Sequence, residues 1–287
     1  MGAPEPGART KSLDGLRGLA ALAILVFHAG SAAGVTIWPL SWVALTGFFI
    51  LSGYLVTTMM RSELARTGRI DAFGFLIRRT ARLLPAMLVV VSAVAVLGRD
   101  PSAFATMSPF WNLVEAKGVV SPALTHLWTL ALEWQFYLVA PLVIPILLRW
   151  PRGAAIGLPV ALLVYVALRP QPHGLEGYYG TPWRVEGFVI GIALGLAGLG
   201  VRSSRGLEAI EPLGRISYGL YLWHYPLIFF IGPLFGLPLP VSIAAAFVAA
   251  AASWRYVEQP AIRWSRTVRK QPLIPVLVAV RTDGEAP

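Results

Sequence analysis

The chain has no cysteine, which excludes disulfides, thiol nucleophiles and cysteine-ligated metals together. Charge is scarce too: only 13% of the 287 residues are Asp, Glu, Lys or Arg. Acids are the rarer sign, 14 against 24 basic residues, and there are just 4 histidines. There is no internal repeat at fixed period and no low-complexity segment. The formal charge of +10 would suit a nucleic-acid binder if the basic residues lined one soluble face. They are instead mostly arginines clustered between apolar runs, so no nucleic-acid partner is expected.

What is abundant is apolar: 56% of residues are hydrophobic, and mean hydropathy is +0.66. This composition belongs to an integral membrane protein, and the expected fold is an all-α, polytopic helical bundle. Eight spans are predicted, over 13–34, 39–60, 83–98, 124–148, 154–169, 183–200, 214–232 and 238–256. The third is short unless its helix starts near Phe73. The opening M-G-A-P-E-P-G-A-R-T-K is polar, and the apolar run behind it exceeds a signal-peptide core, so the first span is expected to be retained. The loop 99–123, with Pro101, Pro109, Pro122 and an interfacial Trp111, is expected to lie on the membrane, and P-L-I-P-V-L-V-A-V after Lys270 is too short to span.

Arginine placement tests the span count independently, because short cytoplasmic loops hold the excess of Lys and Arg. With the N-terminus inside, only Arg99, Lys117, Arg169 and Arg184 fall to the outer loops, and Arg281 lies in the tail. Both termini are therefore expected in the cytoplasm, flanking a membrane domain over 12–264, with tails at 1–11 and 265–287.

The first span carries Arg17 and His28, eleven positions apart. That is three turns plus about 20°, so the two share a face at different depths. An arginine at the mouth of a span can snorkel to water, whereas a histidine roughly 20 Å in must face protein or a polar cavity. In the fourth span His126, Glu133 and Tyr137 also share a helical face. Counting rises puts Glu133, His28 and His224 at similar heights near the midplane. A buried carboxylate is costly unless paired, so Glu133 either orients a histidine, closes an ion pair with an arginine, or bonds a neighbouring helix. His126 falls near the outer interface, with Trp128 as an interfacial anchor. Ser217, Tyr218 and Tyr221 read as packing, Phe48 to Tyr54 as close helix contact through Ser52 and Gly53, and Glu258 with Arg263 as a local ion pair.

Six stretches taken together resemble the membrane-bound acyltransferase family 3, polytopic enzymes that acylate hydroxyls on sugars, glycans and antibiotics. They are S-L-D-G-L-R-G-L-A-A-L-A-I-L-V-F-H at the first span, F-F-I-L-S-G-Y-L at 48–55, R-R-T-A-R-L-L-P at 78–85, H-L-W-T-L-A-L-E-W-Q-F-Y at 126–137, I-S-Y-G-L-Y-L-W-H-Y-P-L at 216–227 and Y-V-E-Q-P-A-I-R at 256–263. The resemblance implies that His28 assists acyl transfer, as base or as an acylated intermediate, with Arg17 holding the site and Glu133 in support. It implies that Arg79 and Arg82, with Arg78 beside them, grip the phosphates of acyl-CoA, acetyl-CoA foremost; plain anchoring to anionic lipid is the other reading of that cluster. His126, Tyr137 and His224 are assigned to acceptor contact or support. Thr129 stands where the family commonly has serine, and family members as a rule carry more spans. The expected product is an O-acylated carbohydrate-containing acceptor, made in a bacterial-type plasma membrane, with no bound cofactor or metal. A transporter or flippase relaying protons through midplane His and Glu, or a family member that has lost the reaction, is the alternative. The sequence leaves the oligomeric state open.

Cysteines introduced singly at Thr10, Ser62 and Ser204 should resist an impermeant thiol reagent in intact cells. Labelling of all three would reverse the orientation.

Overall fold

The computed structural model describes residues 6–35, 37–170, 173–200 and 204–267. The described residues form helices and connecting turns, with no strand among them. Three long helices come first: α1 (Pro6–Ala32), α2 (Trp38–Thr67) and α3 (Ala72–Gly98). A 3-10 turn, Pro101–Met107, and the short α4 (Trp111–Ala116) lead to a second 3-10 turn, Thr125–Leu127, that opens α5 (Trp128–Leu147). Then come α6 (Pro151–Leu168), α7 (Glu176–Tyr179), a 3-10 turn at Thr181–Trp183 and α8 (Glu186–Leu196). The last part holds α9 (Arg205–Ala209), α10 (Glu211–Arg215), α11 (Ser217–Pro226), a π-helical turn Leu227–Ile231 and α12 (Gly232–Leu234). The chain closes with α13 (Leu239–Ser253), a second π-helical turn Trp254–Glu258 and α14 (Gln259–Thr267).

Among the described residues six runs are long and apolar enough to cross a membrane: Lys11–Ala32, Pro39–Thr67, Ala72–Gly98, Thr125–Leu147, Pro151–Leu168 and Leu239–Thr267. The protein is thus an all-α, multi-pass membrane bundle. The third helix does start near Phe73, because Asp71 accepts a 2.8 Å bond from the Gly74 amide and caps it there. The last run, expected to end at 256, continues to Thr267 through the π-helical turn.

The expected sixth and seventh spans take other forms. The sixth reduces to the 11 residues of α8, a rise of about 16 Å. A Cβ on Gly191 would overlap the Ile50 carbonyl oxygen, and one on Gly53 would overlap that of Phe188, so α8 seats itself inside the groove of α2. Arg61 of α2 then bonds the carbonyls of Gly195 and Leu196 at 3.4 and 3.3 Å, supplying donors to the C-terminal end of α8. The seventh is one unbroken helical run over 217–234, whose α-helical pattern is interrupted by a π-helical turn between α11 and α12, with Pro226 and Pro233 inside it.

α1 docks the same way. Gly18 and Gly214 face each other so closely that a Cβ on Gly214 would overlap the Asp14 carbonyl. Backbone contact there fixes the direction in which Arg17, between Gly15 and Gly18, projects. At the other edge, α6 buries none of its residues and packs mainly against α8. The loop 99–123 exposes Phe104, Phe110, Leu113, Val119 and Val120 but also reaches into the protein. Its Trp111 and Asn112 are buried in the bundle, because Asn112 bonds the Tyr179 carbonyl and the Thr181 hydroxyl, at 2.9 and 3.0 Å. Glu258 accepts from Ser253 at 2.9 Å and Arg263 donates to Gln259 at 2.7 Å, replacing the ion pair expected between them. The apolar stretch after Lys270 lies outside the described residues.

The α2/α8 seam should be intolerant of bulk. Gly191→Leu is expected to destabilise the protein by about 1–3 kcal/mol or more. The check is the monodisperse fraction of detergent-solubilised protein after graded heating; a variant as heat-resistant as the parent would refute the close approach.

Candidate active site

Two cavities meet inside the bundle. The first is narrow, about 60 Å³, and its polar lining comes from Arg17, Ser52, Arg82, Glu133, Ser217 and Tyr218. The second is about 440 Å³ and is lined by His28, His126, Thr125, Tyr178, Tyr179 and Tyr225 among others. Leu45, Thr129 and Tyr221 belong to both walls. The second volume falls in the range of small-molecule pockets; the first admits only a slender group.

Arg17 and His28 reach the two cavities from one face of α1, as their spacing implies. His28 then meets His224 of α11, Nδ1 to Nε2, at 2.9 Å. His224 Nδ1 lies 3.0 Å from the Leu220 carbonyl one turn back. His126 is the third of the group. Its ring stacks on Tyr225 at 4.8 Å and stands 5.5 Å from that of His224. Its Nε2 lies 3.3 Å from the Leu222 carbonyl, and its Nδ1 is buried with no hydrogen-bond partner. Three of the chain's 4 histidines therefore converge; His173 is exposed in a loop.

His126 was expected at the outer interface and is buried instead, because the 3-10 turn Thr125–Leu127 folds it inward against α11. Trp128 is buried too, packed against Tyr178 and Tyr179 rather than anchoring at an interface. Glu133, expected level with the histidines, joins Arg17 and Arg82 in the narrow cavity. It accepts a 2.9 Å bond from Ser52 and a short one from the Tyr137 hydroxyl. Ser52 is thus more than a packing residue. Tyr218 donates to the Leu83 carbonyl at 2.7 Å, and Tyr221 bonds Thr129 at 2.5 Å and the His126 carbonyl. These tyrosines tie α11 to α3 and to the start of α5 while also walling the cavities.

The three arginines of α3 part company. Arg82 alone lines the narrow cavity. Arg79 lies over Tyr137, 4.9 Å from its centroid, and so backs the residue that bonds Glu133. Arg78 stands 3.5 Å from Asp71 and faces a separate hollow with Arg66 and Arg266.

The rim of the wide cavity came with no periodic signal in the sequence. Arg184 sits over Trp42, Tyr178 and Trp128, at 3.8, 4.7 and 5.2 Å from their centroids, and its Nε donates to the Tyr178 carbonyl at 2.6 Å. Gln135 bonds Asn112 and the Pro109 carbonyl at 2.8 and 2.7 Å, tying α4 to α5. A single motif in the sequence, the adjacent Tyr178 and Tyr179, marks this wall.

Fold and site together define a multi-pass membrane bundle with a buried histidine group beside an arginine and glutamate pocket. The chain belongs to the acyltransferase 3 family: the family's profile, described as an acyltransferase domain, matches residues 10–205. The chain is similar to the peptidoglycan O-acetyltransferase OatA of Listeria monocytogenes, 25% identical over 87% of this chain and 55% of that one. It is similar to O-acetyltransferase OatA of Staphylococcus aureus, 26% identical over 86% and 56%, and to a putative O-acetyltransferase of the same species, 29% identical over 63% and 34%. The chain spans about half the length of the first two relatives. No solved structure matches it.

Behind the wide cavity, Glu115 of α4 is fully buried; Trp111 Nε1 donates to its Oε1 at 2.9 Å, and Oε2 has no partner. Burial pushes its carboxyl up to about 8. The folded protein thus holds a proton that the unfolded chain releases near 4.5, so this stability is present below pH 4.5 and is lost as pH rises to about 8. Glu115→Gln should raise the melting temperature at pH 8.5 and change it little at pH 5. Equal shifts at both pH values would show that the carboxyl is not held neutral.

Proposed function

We infer that the protein transfers an acyl group, acetyl foremost, from acyl-CoA to a hydroxyl of a carbohydrate-containing acceptor. The observation that carries this is that the two cavities lie on either side of Thr129 and Tyr221, with cations on one side and imidazoles on the other. A thioester donor has an anionic phosphate end and a slender pantetheine arm. Arg17 and Arg82 suit that arm's entry, since arginine binds phosphate and polarises carbonyl oxygen through charge-assisted bonds. The wide cavity suits a sugar ring, which stacks on aromatic faces and bonds through hydroxyls. His28 takes the proton of the attacking hydroxyl as its oxygen adds to the thioester carbon, and returns it to the departing thiolate. Glu133 balances Arg17 and Arg82 and keeps them aimed into the narrow passage.

The donor enters from the cytoplasm, the side on which the arginine-rich loops lie under the positive-inside rule. The relatives are named for O-acetylation, one of them of peptidoglycan, and a cell-surface glycan is the acceptor class proposed here.

With purified protein, acetyl-CoA and a glycan acceptor, His28→Gln keeps a hydrogen-bonding side chain but cannot take up a proton. Turnover should fall by about a hundredfold or more, while Arg82→Ala should chiefly raise the KM for acetyl-CoA. Near-normal turnover in the glutamine variant would return His28 to a structural role.

A further inference from the structure

We propose that His224 is a positioning residue that fixes the tautomer of His28, leaving the His28 Nε2 lone pair free to act as the base. This rests on the acyl-transfer reading of the site. The argument follows the hydrogens outward from a group whose role is not in question. The Leu220 carbonyl can only accept, so the 3.0 Å contact requires the hydrogen on His224 Nδ1. A neutral imidazole carries one N–H, so His224 Nε2 is an acceptor. The 2.9 Å contact then requires His28 Nδ1 to donate, which leaves Nε2 of His28 bare.

The other assignment would make His224 an imidazolium, donating from both nitrogens. No carboxylate touches either ring among the described residues: the neighbours of His28 and His224 are Phe27, His126, Tyr221, Tyr225 and Phe229. An uncompensated buried cation is far more costly than a neutral pair. His126 fits the same pattern. Its Nε2–H donates to the Leu222 carbonyl, which leaves the lone pair on its buried, unpartnered Nδ1. The α11 backbone, through Leu220 and Leu222, thus sets the hydrogens of His224 and His126, and His224 directs that of His28, whose ring also bonds the Ile24 carbonyl one turn back on α1.

The consequence for the step is direct. The acceptor hydroxyl gives its proton to His28 Nε2 as its oxygen bonds the thioester carbon; the C–S bond breaks, and the thiolate takes that proton back from Nε2. Throughout, Nδ1–H of His28 stays on His224, whose lone pair stabilises the transient imidazolium. In serine hydrolases a carboxylate does this work; here a neutral imidazole anchored on a carbonyl does it.

The test reads the tautomer itself. In protein labelled with 15N-histidine, the 4 histidines give four pairs of ring nitrogens, assignable by single replacement. Wild-type His28 is expected to carry its hydrogen on Nδ1; a hydrogen on Nε2 overturns the proposal. In His224→Phe the ring is kept and the lone pair is lost, so His28 should become a mixture of tautomers, and kcat with acetyl-CoA should fall about tenfold or more at little-changed KM. His224→Gln places a carboxamide oxygen near the former Nε2 and should restore both the tautomer and most of kcat. Equal loss in the two variants, or none in either, overturns the positioning role. Should the phenylalanine variant not fold, the wild-type spectrum and the glutamine variant still decide. A wild-type protein that consumes no acetyl-CoA would sink the acyl-transfer reading, while the spectra would judge the tautomer independently.

Discussion

An imidazole placed deep in an apolar helix must meet another polar group, because hydrocarbon offers it no hydrogen bonds. In this protein the group is a second imidazole, and the bond between His28 and His224 joins the first helix to α11 near the far end of the chain. Much of the interior follows from making that meeting possible. Backbone contact at Gly18 and Gly214 lets α1 approach α10, so that α11, which starts immediately after, runs beside the upper half of α1. The π-helical turn after Pro226 follows one turn beyond His224, where helices commonly spend a strained geometry on function.

Polar side chains sort into two groups rather than one. Arg17, Arg82 and Glu133 line the narrow cavity together, while the histidines bond one another and backbone carbonyls. Separating them keeps a carboxylate away from the imidazoles, and Tyr221 and Thr129 form the partition. Arg79 takes a supporting place, its guanidinium over the Tyr137 ring whose hydroxyl bonds Glu133.

Side-chain hydrogen bonds and ring contacts hold described segments between the long helices. Asn112, Gln135 and Thr181 close a polar ring that binds α4 to α5, and Arg184 is held between aromatic faces beside the wide cavity. Buried amides and guanidiniums of this kind persist only when nearly every donor finds a partner. A loop built this way forms a fixed wall to the cavity.

By itself the sequence determined the class of fold and pointed to residues that the structure places around the two cavities. Hydropathy and scarce charge dictate a helical membrane bundle, and motif spacing singles out Arg17, His28, Glu133 and His126 in the family whose profile the chain matches. Periodicity also set Arg17 and His28 on one face, since a helix's own geometry decides that. What it left open was direction between helices. Counting rises gives a residue's height but not the helix face it meets, so a histidine, an arginine or a neighbouring helix were all open partners for Glu133, and packing places it beside the arginines, bonded to Ser52. Arg82 lies three and four residues after Arg79 and Arg78, so helix geometry alone would keep the three on one side of α3, and it is packing against Tyr137, Asp71 and the narrow cavity that sends them three ways. The burial of His126 and the meeting of His28 with His224 come from contacts between segments far apart in the chain, which only the tertiary structure decides.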